Sequence, residues 1–81
     1  MEPKDIVEMM NSEDFKERFK AEYYQLLLRI DDLTSMLIRW KNNMLDFEPN
    51  CSKETLENQR IFMQGYLDIL RLRAKIEGIE L

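Results

Sequence analysis

The sequence predicts an all-α protein: an antiparallel two-helix hairpin with a short N-terminal helical arm, assembling into a homo-oligomeric helical bundle. Three observations carry this. Phe19, Tyr23, Leu26, Ile30, Leu33, Leu37, Trp40 and Met44 follow one another at steps of four and three, the spacing of a heptad seam along one long helix. Left wet, such a seam costs about 25 cal/mol for each Å² of apolar surface, so a second helix must cover it. Only 2 glycines and 2 prolines occur in 81 residues, with 44% hydrophobic and 35% charged side chains, a composition that suits helices and leaves little for strands or disorder. Each long helix also carries a second apolar set beside its seam, wider than one partner helix needs. A chain of this size is one domain, 1–81, whose lone core is marginal, and self-association supplies the missing burial.

The arm spans 1–12. Pro3 suits a first helical turn, and Ile6, Val7, Met9 and Met10 give one apolar side over residues 3–10. So short a helix has no stability of its own. It must either staple over the core of its own chain or swap onto a neighbouring subunit. Asn11 and Ser12 end it, Ser12 is the expected N-cap of the main helix, and Glu13 and Asp14 favour the positive end of that helix's dipole.

The main helix is expected over 13–41. Tyr24, Leu27, Leu28, Met36 and Ile38 form its second apolar set. Residues 42–52, with Asn42, Asn43 and Pro49, read as a connecting loop, with Leu45 and Phe47 tucked against the hairpin end. The second helix is expected over 53–77, capped by Ser52 and stopped by Gly78. Its seam is Leu56, Met63, Leu67, Leu70 and Ala74, and Phe62, Ile69, Leu72 and Ile76 lie on a neighbouring flank. Gly65 costs about 1 kcal/mol in mid-helix relative to Ala, which points to close approach of another backbone or a ligand.

Chemistry-bearing residues are few. There is no histidine and one cysteine, Cys51, which excludes His/Cys metal sites, disulfide frameworks and Ser-His or Cys-His catalysis within one chain. The expectation is therefore not an enzyme, with no catalytic residue, cofactor or metal. A single thiol, read as a loop residue, fits a reducing cytoplasm. A net charge of −4 argues against binding DNA or RNA polymers, where a basic face supplies the attraction. No signal peptide or membrane span is evident. In the hairpin, Lys16, Arg18 and Lys20 approach Arg71, Arg73 and Lys75 among seven carboxylates at the same end, a mixed-charge surface on the plainest reading. Arg73 falls close to the apolar seam and calls for a carboxylate such as Glu17 or Glu22.

The run Arg18-Phe19-x-x-Glu22-Tyr23-Tyr24-x-x-Leu27-x-Arg29-Ile30-x-x-Leu33, followed after a loop by Leu56-x-x-Gln59-x-x-x-Met63-x-x-Tyr66-x-x-x-Leu70-x-x-Arg73, resembles a family of small helical phage proteins. These are the anti-CBASS and anti-Thoeris sponges and their relatives from crAss-like phages, and the ending Arg73-Ala74-Lys75-Ile76-Glu77-Gly78-Ile79 looks most like the last branch. The likeness covers about residues 15–79. It implies a homo-oligomer, typically a hexamer, that acts in the cytoplasm of the infected bacterial host. Such a protein binds cyclic di- or trinucleotide immune messengers and holds them without cleavage. By resemblance Tyr24 stacks on a base and Arg39 meets a phosphate, where the family usually has Lys. Arg73 and Gln25 fit a separate cyclic trinucleotide pocket. Flat bases and two phosphates suit an aromatic ring and a cation from each of two subunits. From spacing alone Tyr24 reads first as an amphipathic residue at a helix interface, Arg39 as a solvated arginine and Trp40 as core. The rival from another class is a helical adaptor or structural oligomer that binds another protein, which the twin apolar flanks support equally.

Overall fold

The computed structural model describes residues 2–81 and holds three helices, α1 (Pro3–Met10), α2 (Phe15–Lys41) and α3 (Lys53–Glu77), with no strand among the described residues. Pro3 opens α1 at the first helical position, where its missing N–H costs nothing. The arm lies along α2 of its own chain, with Ile6 buried and Val7 and Met10 exposed.

α2 starts two residues later than Ser12 as a cap would place it. The N-cap is Asp14, whose Oδ1 accepts from the Lys16 N–H at 2.9 Å, while Ser12 Oγ accepts from the Asp14 N–H at 3.1 Å. Both side chains can cap; the carboxylate adds its charge to the positive end of the helix and takes the terminal place. Phe19, Tyr23, Leu26 and Ile30 then form one core with Leu67, Leu70, Ala74 and Ile79. Arg73 lies over Phe19, Arg71 beside Tyr23 and Lys53 over Trp40. Partner numbers fall on α3 as they rise on α2, so the helices run antiparallel as a hairpin.

Both long helices close in the same way. Asn43 has φ 55° and Gly78 φ 68°. The Met44 N–H returns to Arg39 O at 2.8 Å and the Ile79 N–H to Ala74 O at 2.8 Å, the six-to-one bond of a Schellman end. The outcome for the next apolar residue differs. Ile79 folds back into the core, whereas Met44 is 67% exposed, so the expected seam stops short of it. Heptad counting ran past a helix that ends at Lys41.

The seam also loosens before that point. Leu33 and Trp40 are half-buried, and Lys53 Nζ stands 5.5 Å from the Trp40 ring centre, so Trp40 is a shelf for a cation rather than core. Leu45 is half-buried as expected but Phe47 is exposed. On α3, Ser52 Oγ accepts from the Thr55 N–H at 3.1 Å and lies 2.8 Å from the Thr55 hydroxyl. Thr55 thus occupies the place of the acidic partner in a capping box. Among the described residues no helix is long and apolar enough to cross a membrane.

Candidate functional site

One side of the hairpin groups several hydrogen-bonding side chains around Arg29. Towards the arm, a shallow recess of about 280 Å³ is lined by Glu22, Gln25, Leu26, Arg29 and Tyr66. Towards the loop, Arg29 also lines a second recess of about 310 Å³ with Asp32, Leu33, Met36, Gln59 and Met63. The helical period explains the grouping. Glu22, Gln25 and Arg29 recur every three or four residues on α2, as do Gln59, Met63 and Tyr66 on α3, so each set shares a face. Arg29, exposed between the two recesses, can meet an anion from either. The Tyr66 hydroxyl donates to Glu22 Oε2, which holds its ring across the hairpin.

Of the four residues expected to bind ligand, only Gln25 lines this side. Tyr24 is half-buried against the core, its ring edge-on to Tyr23 with centroids 5.1 Å apart. Arg39 is exposed in the last turn of α2, about 22 Å along the helix axis from Tyr24 at 1.5 Å per residue. Arg73 belongs to the arm end. Its guanidinium carbon is 5.1 Å from the Phe19 ring centre, a cation–π contact in place of the expected ion pair with Glu17 or Glu22. Exposure explains the substitution, because a cation at the solvent edge needs no buried counter-charge. Within one protomer these four side chains do not converge.

Nearby, Arg71 Nε donates to the Tyr23 hydroxyl at 3.2 Å. That bond raises the pKa of Arg71 above its ordinary value.

A third depression was not foreseen. Where the seam loosens near the loop, a cleft of about 510 Å³ has Leu37, Ile38 and Ile61 as its apolar lining. Lys41, Lys53 and Arg60 stand around it with Glu57 as the one carboxylate. Its sequence signal was present: Lys41 and Lys53 bracket the connecting loop, so any hairpin brings them to one end. Among the described residues no three histidine, cysteine, aspartate or glutamate side chains are grouped to hold a metal.

A family model described as Sequestin matches residues 13–76, both long helices and the loop between them. No curated protein and no solved structure matches the chain.

Proposed function

The chain belongs to the Sequestin family, a name that denotes sequestration, and from that membership we propose that it is a phage anti-defence sponge acting in the infected host cell. It captures cyclic di- or trinucleotide messengers and holds them without cleavage. The family match over residues 13–76 carries this reading. Support comes from the side of the hairpin around Arg29, which offers a cation and the amides Gln25 and Gln59, the groups that phosphates and base edges require. The chemistry asks for no general base, since nothing is broken.

The wide spacing of Tyr24, Gln25, Arg39 and Arg73 belongs to pockets shared between subunits of a homo-oligomer, a hexamer by the resemblance described above. In such a pocket Tyr24 stacks on a base, Arg39 meets a phosphate, and Arg73 with Gln25 serves a trinucleotide. Titration calorimetry with a panel of cyclic di- and trinucleotides tests the reading. A member of the panel binds with a whole-number stoichiometry per assembly and is recovered intact on denaturation. No heat from any member up to micromolar protein, or recovery of a linearised product, overturns it.

A helical adaptor is the second reading, and the exposed outer flank of α3, Phe62, Ile69, Leu72 and Ile76, favours it. It requires Arg29→Ala and Tyr24→Ala to leave function intact, whereas the sponge requires both to weaken ligand uptake.

A further inference from the structure

The outer flank of α3 has the order of an interface. Phe62, Ile69 and Ile76 repeat every seven residues, and Gly65 and Leu72 fall three residues after the first two, the a and d positions of a heptad. The opposite side of the same helix, Leu67, Leu70 and Ala74, is already buried against α2. Phe62 is 79% exposed, Ile76 74%, and Ile69 and Leu72 58% each. At Gly65 an added Cβ would meet nothing within 4 Å. The chain itself therefore gives no reason for a glycine in mid-helix, though a helix lying against that flank would.

The flanking positions say what that helix is. In a parallel, in-register pair of heptad helices each g residue faces the e residue five places on in the partner, and those contacts set orientation. On α3, which ends at Glu77, these pairs are Ile61 with Tyr66 and Asp68 with Arg73. The first is largely apolar and the second carries opposite charges. Asp68 and Arg73 are both exposed.

We infer that the outer flank of α3 binds the same flank of a second copy of this chain, parallel and in register. Phe62, Ile69, Leu72 and Ile76 form the shared seam, Gly65 lets the backbones approach, and the Asp68–Arg73 pair suits that direction. This names the first contact of the homo-oligomer proposed above and rests on that self-association.

Leu72→Cys in a Cys51→Ser background tests it, because d-position thiols in a parallel pair come within disulfide reach of each other. The variant is oxidised mildly at micromolar concentration, with sedimentation velocity run alongside. Near-complete conversion to disulfide-linked dimer, abolished by adding Ile69→Glu, is the expected result. An oligomer that does not link at this position overturns the parallel interface and leaves self-association standing. A monomer in sedimentation overturns both. Since Leu72 is exposed in the single chain, the substitution leaves the hairpin folded, and circular dichroism confirms it.

Discussion

Ile69 and Leu70 are neighbours in the chain and opposites in surroundings. Leu70 is fully buried against α2, while Ile69 is 58% exposed. The two faces of α3 have similar apolar content, Leu67, Leu70 and Ala74 inside against Phe62, Ile69, Leu72 and Ile76 outside. A helix needed only for the hairpin would carry polar residues on its outer face. The inner face maintains the protomer, and the outer face is the apolar surface proposed above to meet a second copy. Substitutions that leave one face intact separate these tasks.

The largest effect is expected inside. Leu70→Ala removes a buried side chain between α2 and α3 and should lower unfolding free energy by about 2–5 kcal/mol. Ile69→Ala in dilute protein should change it by no more than about 0.5 kcal/mol, as for other surface positions. Urea titrations of both variants at the lowest workable concentration check the pair. Equal losses would mean that the outer face is structural in the single chain. Repeating them at a hundredfold higher concentration sharpens the contrast, because the parent should gain stability with concentration and Ile69→Ala should gain less.

How much of this was legible follows from where each feature originates. Local chemistry was readable: Pro3, Ser52 and Gly78 mark helix ends through their own backbone and side-chain properties, and the structure places them where those properties require. Competition between near-equals was not, which is why Asp14 rather than Ser12 caps α2. Geometry between helices was least readable. The periodicity of α2 continues to Met44, yet the main buried cluster draws only on Phe19 to Ile30 of this helix, with Leu37 buried apart from it. The resulting cleft beside Lys41, Lys53 and Arg60 depends on how far the helices splay. Arg29 lies within the family pattern, but its place between two recesses depends on how α3 packs beside it, which the pattern does not carry. Tyr24, Gln25, Arg39 and Arg73 follow from resemblance, and within one protomer they lie apart.

A smaller effect separates caps from faces. Ser52→Ala removes the acceptor for the Thr55 N–H and should cost about 1 kcal/mol. Because the cap touches neither face of α3, the loss should be the same at low and high protein concentration. A loss that grows with dilution would mean that the first turn of α3 belongs to the interface.

Gly65→Ala has the smallest expected effect, and its sign carries the information. In the single chain the new methyl group meets nothing within 4 Å, and the glycine has no positive φ to protect. Alanine should then stabilise α3 by about 0.5–1 kcal/mol through the conformational freedom it removes from the unfolded chain. Against a closely packed second helix the same methyl must push the backbones apart, and the gain is cancelled or reversed. The expected result is therefore a higher urea midpoint for Gly65→Ala in dilute protein and a lower one, relative to the parent, in concentrated protein. A gain that persists at every concentration would leave the glycine without an interfacial role and weaken the case for close approach along the outer face. A loss at every concentration would mean that Gly65 already contacts something within the single chain, and the two faces of α3 would no longer be independent.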